Sequence, residues 1–148
     1  MSKTDIAVEK FRGGYNCAQS VLFTYADKLN LDKNLALKIA TGFDDGMGRK
    51  QEVCGAVTGG IMVLSLLYGR GENDDRSNAG LTYARVREFM DEFERRCSTV
   101  NCKKLLNGCD LLTDEGKAVY TAQNMLENCC GFVDQAVQIL EEMIKRCE

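Results

Sequence analysis

Residues 54–68 read CGAVTGGIMVLSLLY, which is the most apolar stretch of the chain. A helix that is apolar around its whole circumference is surrounded by protein, so this stretch predicts a buried central helix. It is too short and too rich in glycine to span a bilayer. We therefore expect other helices to pack around it on all sides.

Glycines occupy positions 55, 59 and 60 of this predicted helix. Each glycine inside a helix costs about 1 kcal/mol relative to alanine, so three of them require a compensating contact. The simplest compensation is a neighbouring segment that presses against the bare backbone. Gly55 and Gly59 are also candidate cofactor-binding residues, because a bare backbone allows a bound group to come close.

The spacing of apolar residues and the capping residues predict six or seven helices. The predicted segments are about 17–29, a short helix after Asp32, 54–68, about 78–96, a short segment 101–106, a helix capped by Thr113 or Asp114, and a last helix whose apolar stripe runs from Cys130 to Cys147. No alternating strand pattern, linker or internal repeat is found, and proline is absent. The sequence thus predicts one all-α domain over residues 1–148, folded as a single compact helical bundle.

Residues 41–48 (TGFDDGMG) break the helical period with three glycines. Such a segment predicts a loop whose backbone needs positive φ angles or a close approach to another group. It matches neither of the common glycine-rich phosphate-binding patterns. Asp44 and Asp45 in this loop are candidates to support a nearby ligand site, and a solvated loop explains them as well.

Composition excludes several classes of function. The chain has 19 Lys and Arg against 22 Asp and Glu, a net charge of −3 that argues against nucleic-acid binding. Histidine is absent, which excludes Ser-His-Asp and Cys-His catalytic arrangements and zinc sites built on histidine. The first ten residues lack the apolar core of a signal peptide, so we expect a cytoplasmic protein without membrane contact. The apolar content allows a homodimer, and no sequence feature identifies a redox partner protein.

Sulfur is the unusual chemistry of this sequence, with eight cysteines at positions 17, 54, 97, 102, 109, 129, 130 and 147. Because cytoplasmic thiols stay reduced, such a number favours a metal or redox site over structural disulfides. Cys17, Cys54, Cys102 and Cys130 each begin a predicted helix. The unpaired amides and the macrodipole at a helix start lower the pKa of a thiol and stabilise the thiolate that binds metals and attacks disulfides.

Four such thiolates would converge if the helix starts meet, and four sulfurs suit a tetrahedral zinc ion or an iron–sulfur cluster. Spacing alone does not select a metal, because the chain has no C-x-x-C pair. From the sequence alone, a structural role as a small buried hydrophobic residue explains each cysteine about equally well. That interpretation is favoured for Cys97, Cys109 and Cys147, which lie near segment ends. The helical pattern allows Cys129 to lie on an apolar face as readily as Cys130.

The central block resembles that of a known family. Residues 53–60 (VCGAVTGG), preceded by Gly42-Phe43 and Gly46-Met47-Gly48, are similar to the central segment of the redox-active proteins with the signature C_GCAxxG_C_C. Three further segments are similar to the family's first, third and fourth cysteine segments: residues 14–21 (GYNCAQSV), 102–108 (CKKLLNG) and 130–136 (CGFVDQA).

This resemblance implies a helical domain in which Cys17, Cys54, Cys102 and Cys130 are the signature cysteines of a redox or metal site. Some relatives are joined to haem-bearing regions, whereas this chain has no C-x-x-C-H motif for haem attachment. Our first hypothesis is therefore an electron-transfer protein that binds an iron–sulfur cluster, or another metal, through these four thiolates. The alternatives are a thiol–disulfide oxidoreductase or redox sensor, with Cys54 as the attacking thiolate, and a non-catalytic module closed by zinc.

Overall fold

The central segment forms a helix, as its composition predicts. A computed structural model describes residues 1–147, and within them the chain forms eight α-helices and one short 3₁₀ helix, with no β-strand. The α-helices are α1 (Lys3–Arg12), α2 (Cys17–Tyr25), α3 (Lys33–Ala40), α4 (Gly55–Tyr68), α5 (Ser77–Cys97), α6 (Cys102–Leu105), α7 (Asp114–Ala122) and α8 (Met125–Arg146); the 3₁₀ helix spans Thr41–Phe43. The all-α prediction is confirmed, with slightly more helices than the six or seven expected.

Helix α4 packs against α2, α5 and α8, which makes it the centre of the bundle. Its first six residues, 55–60, are all buried, as are Val63 and Leu64 in the following turn. The last turn departs from the prediction of burial on all sides, because Leu66 is 49% exposed. The buried end of α4 is therefore the end that begins at Cys54, and this end positions the site described below.

The glycines of α4 allow neighbouring helices to touch its backbone. A Cβ atom at Gly59 would lie 2.9 Å from the carbonyl oxygen of Ala18 and 3.0 Å from Cβ of Val21, both in α2. A Cβ atom at Gly60 would overlap the ring of Phe89 in α5. These contacts confirm the prediction that neighbouring segments press against the bare backbone, and they offset the low helix propensity of glycine.

Helix α1 has no counterpart among the predicted segments. It begins with a capping box, in which the Ser2 side chain accepts a hydrogen bond from the Asp5 amide and the Asp5 carboxylate accepts one from the Ser2 amide. Only Ala7 and Phe11 of this helix are buried, so its apolar stripe is too thin to stand out in the sequence. The Arg12 guanidinium forms two hydrogen bonds to the Glu127 carboxylate and links α1 to α8.

The last helix begins earlier than predicted. Asn124 adopts a left-handed conformation (φ +51°) between α7 and α8, and α8 starts at Met125. Cys130 is therefore well inside the second turn of α8, and the prediction that it lies at a helix start is wrong. No proline or glycine marks this boundary in the sequence, because asparagine adopts the left-handed conformation in its place.

We predict opposite effects of alanine at two helical glycines. Gly59→Ala should lower the free energy of unfolding by about 1–3 kcal/mol, because the new methyl group meets the backbone of α2. Gly131→Ala is the matched control: Gly131 lies in α8, is exposed, and a Cβ atom there would meet no described atom within 4 Å. That variant should gain up to about 1 kcal/mol from helix propensity. Urea unfolding followed by circular dichroism measures both, and equal effects would contradict the packing described here.

A candidate four-thiol site

Four cysteine side chains from four separate segments line one small cavity. They are Cys17, Cys54, Cys102 and Cys129, and the cavity between them has a volume of about 20 Å³. The remaining lining residues are Asp45, Gly55, Leu105, Leu106 and Phe132. Three of the four predicted ligand cysteines are thus brought together, and Cys129 lines the cavity where Cys130 was expected.

The α-helical geometry explains why Cys129 and Cys130 do not share the cavity. Consecutive residues of an α-helix point about 100° apart, so one face of α8 accommodates only one of them. Cys129 lies near Tyr120, whose hydroxyl donates a hydrogen bond to the Cys129 sulfur at 3.7 Å. Cys130 is buried outside the cavity. Burial raises its pKa, while the charge of Arg12 acts to lower it and the charge of Glu127 to raise it.

A single β-bridge brings Cys54 and Cys102 to the same place. Val53 and Asn101 pair in antiparallel fashion. The Cys54 amide donates to the Val100 carbonyl at 2.8 Å, and the Cys102 amide donates to the Glu52 carbonyl at 2.6 Å. Because these residues immediately precede α4 and α6, the bridge fixes the starts of both helices side by side.

Cys17 is the first residue of α2, and two side chains anchor this helix start. Asn16 and Gln19 form a capping box with each other's backbone. The Gln19 side chain also donates to the Leu37 carbonyl at 3.0 Å, which ties α2 to α3. A Cβ atom at Gly55 would lie 3.1 Å from Cβ of Cys17, so the glycine directly after Cys54 is what allows Cys17 to approach it. Gly55 lines the cavity, whereas Gly59 contacts α2 and does not line it.

The loop before α4 carries Asp45 to the edge of the cavity. Residues 45–49 all have positive φ angles between 44° and 74°, which confirms the prediction of unusual backbone in this segment. Left-handed backbone costs roughly 1–2 kcal/mol for a residue with a side chain, so the loop is strained at Met47 and Arg49. A Cβ atom at Gly46 would lie 2.6 Å from the Glu52 amide nitrogen, so this position requires glycine. The Arg49 guanidinium bonds the Asp44 carboxylate at 3.0 Å across the loop.

Gln51 is a buried polar residue that sequence reasoning missed. Its side-chain amide donates to the Cys109 carbonyl at 2.7 Å, and its side-chain oxygen accepts from the Leu111 amide at 2.8 Å. The Gln51 side chain is 4% exposed, so these bonds satisfy backbone groups that water does not reach. Nothing in the local pattern distinguishes Gln51 from the solvated residues around it, because its partners come from a distant segment.

Burial dominates the acidity of two of the four thiols, Cys54 and Cys102. The pKa of Cys54 is raised to about 12 by burial, although the backbone amides of Ala56 and Val57 at the start of α4 act in the opposite direction. Burial also raises the pKa of Cys102, and the neighbouring sulfur of Cys54 adds to the effect. The expectation that helix starts lower these thiol pKa values is therefore wrong for the metal-free protein, because loss of water outweighs the helix-start amides.

Cys129 differs from the other three because its pKa is lowered. The interaction between the two thiol groups of Cys17 and Cys129 raises the pKa of Cys17 and lowers that of Cys129. The Tyr120 hydroxyl donates a hydrogen bond to the Cys129 sulfur and lowers its pKa further. Burial raises the pKa of the neighbouring Asp45 carboxyl to about 6, and the charge of Asp44 contributes in the same direction.

The donor set of the cavity fits a thiophilic metal group, while its arrangement is not preassembled for one. Four thiols are the ligands of a tetrahedral zinc ion or of a two-iron or four-iron cluster. Within residues 1–147, no group of three or more Cys, Asp or Glu side chains is already placed to hold a metal ion. A cavity of about 20 Å³ has room for little more than one water molecule. The thiol side chains in the positions they occupy here therefore do not surround a metal ion.

The cysteines outside the cavity have individual surroundings. Cys109 is buried, and its thiol donates to the Gly116 carbonyl at 2.9 Å, which fits the interpretation of a buried structural residue. Cys97 is partly buried. Cys147 is exposed, so the interpretation of Cys147 as a buried hydrophobe is wrong.

Comparison with known proteins places the chain in a family. The family profile described as "Putative redox-active protein (C_GCAxxG_C_C)" matches residues 15–143, so the chain belongs to this family. An "Uncharacterized protein" of Archaeoglobus fulgidus is 26% identical over 146 residues, covering 94% of this chain and 91% of the relative. No solved structure gives a significant match. Within residues 1–147, none of the helices is both long enough and apolar enough to cross a membrane.

We predict that Gln51→Ala destabilises the protein by about 2–4 kcal/mol, because two buried backbone groups lose their hydrogen-bond partner. Gln123→Ala is the control, since Gln123 is exposed at the end of α7. It should change the free energy of unfolding by less than about 0.5 kcal/mol. Thermal unfolding of both variants measures the difference. A Gln51 variant as stable as the wild type would show that its two bonds do not hold the loops together.

Proposed function

We propose that this protein is a small electron-transfer protein whose thiols Cys17, Cys54, Cys102 and Cys129 bind an iron–sulfur cluster. The observation that carries the proposal is the convergence of these four sulfurs, from four segments of the chain, on one cavity. Membership of a redox-active family supports it. The proposal replaces Cys130 by Cys129 in the predicted ligand set, because Cys129 lines the cavity and Cys130 does not.

Charge supports a metal group in this cavity. The pKa values of Cys17, Cys54 and Cys102 are raised, so four thiolates together are unfavourable there without a compensating cation. Asp45 is the charged residue that lines the cavity, and its carboxylate adds negative rather than positive charge. An iron–sulfur cluster supplies the positive charge of its iron ions and accepts or donates one electron when bound.

The protein's own groups determine how the bound sulfurs behave. The backbone amides of Ala56 and Val57 act to lower the pKa of Cys54, and the Tyr120 hydroxyl donates a hydrogen bond to the Cys129 sulfur. Hydrogen bonds to ligand sulfurs and exclusion of water both shift a reduction potential. Cys54, Cys102 and Cys129 are each less than 8% exposed, so water has little access to these three sulfurs. Gly55 allows Cys17 and Cys54 to approach each other, whereas Gly59 acts through the packing of α2 on α4.

Thiol–disulfide chemistry is a second candidate function, favoured by the place of Cys17 and Cys129 in one cavity and by the lowered pKa of Cys129. In this reaction the Cys129 sulfur attacks a disulfide of a partner protein and releases one partner thiolate, which takes up a proton. The Cys17 sulfur then attacks Cys129, loses its proton and releases the second partner thiol. The products are a Cys17–Cys129 disulfide and a reduced partner. A closed zinc site on the same four thiols would instead be structural.

We predict that the protein made and purified without oxygen contains iron and acid-labile sulfide and absorbs visible light. Cys129→Ala should lose most of this iron and colour, because it removes one of four ligands. Cys130→Ala is the matched control and should keep both, since Cys130 lies outside the cavity. Metal and sulfide analysis measures the outcome. A colourless wild-type protein would refute the cluster, and zinc without sulfide would indicate the structural role. If only Cys130→Ala loses iron, Cys130 rather than Cys129 is the ligand.

We also predict that mild oxidation of the metal-free protein forms a Cys17–Cys129 disulfide before any other. Both sulfurs line the same cavity of about 20 Å³, so little movement is needed to join them. Peptide mapping by mass spectrometry after brief treatment with a small disulfide identifies the bond. Cys17→Ser should abolish it, whereas Cys97→Ser should not. A dominant disulfide between any other pair would contradict the second candidate function.

A further inference from the structure

An open cleft lies beside the four-thiol cavity. The cleft has a volume of about 490 Å³ and separates the start of α2 from α7. Asp45 lines both the cleft and the cavity, so the two spaces share one wall. The shared wall that contains Asp45 therefore separates the sulfurs of the cavity from the solvent in the cleft.

Tyr120 connects the cleft with the sulfur of Cys129. Its side chain lines the cleft, and its hydroxyl donates the 3.7 Å hydrogen bond to the Cys129 sulfur. Burial raises the pKa of Tyr120, so the phenol keeps its proton and remains a donor at neutral pH. Tyr120 is thus a side chain that both reaches a proposed ligand sulfur and faces the open cleft.

We propose that Tyr120 is a positioning residue that acts through Cys129, holding its sulfur beside the cleft and stabilising the electron-rich state of that sulfur. A hydroxyl that donates to a ligand sulfur favours the reduced state, in which the sulfur carries more negative charge. This inference rests on the proposed function only in treating the site as a redox site, since the hydrogen bond itself is independent of any cofactor.

The direct test uses the full-length, reduced and metal-free protein with Tyr120→Phe, which keeps the ring and removes the donor. Iodoacetamide labelling followed by mass spectrometry gives the rate at Cys129. We expect this rate to fall several-fold, because the Cys129 sulfur is no longer held beside the cleft from which the reagent enters. Tyr15→Phe is the matched control: Tyr15 lines the same cleft, with its ring 4.3 Å from the Lys10 ammonium, and should leave the rate unchanged. An unchanged rate in Tyr120→Phe, or an equal fall in both variants, would overturn the inference.

A second readout separates this inference from the proposed function. In protein that contains iron and sulfide, Tyr120→Phe should shift the midpoint potential to more negative values with iron content unchanged, and Tyr15→Phe should not. An unchanged potential would overturn the role of Tyr120 while leaving the cluster in place. If the wild type binds no cluster, the proposed function fails, and the alkylation rates alone decide on Tyr120. Thermal unfolding of both variants checks that the packing is retained.

Discussion

The close approach of α2 to α4 is the contact on which the site depends. Two glycines, Gly55 and Gly59, leave the α4 backbone bare where Ala18 and Val21 of α2 lie against it. A side chain at either position would begin about 3 Å from atoms of α2 and would force that helix outward. Cys17 would move with α2, because it is the first residue of that helix. A packing contact made entirely of carbon and backbone atoms thus determines where a sulfur lies.

The other three sulfurs are fixed by different means. A single antiparallel bridge at Val53 and Asn101 aligns the starts of α4 and α6. The face of α8 determines that Cys129 rather than Cys130 is turned inward. The strained loop over residues 45–49 covers the remaining side with Asp45. Strained backbone of this kind persists where the surroundings determine it fully, and it is often found at functional sites.

The sequence allowed much of this architecture to be predicted, and the failures have physical causes. The all-α class, the central helix, its glycine contacts and the unusual loop follow from local patterns. Convergence of Cys17, Cys54 and Cys102 was suggested by helix starts together with the family resemblance. The choice between Cys129 and Cys130 depended on where α8 begins, and a left-handed Asn124 sets that boundary. Gln51 and Tyr120 could not be found, because their roles exist only through partners in a distant segment or in the next helix.

The wide separation of the four cysteines along the chain has a consequence for assembly. Contacts between distant segments form late, because each closes a long loop of chain before it gains any interaction. A polypeptide that has emerged only as far as α6 contains three of the sulfurs and has no α8 to pack them against. The cavity lined by all four sulfurs is therefore complete only after α8 has been synthesised and has packed against the rest of the bundle.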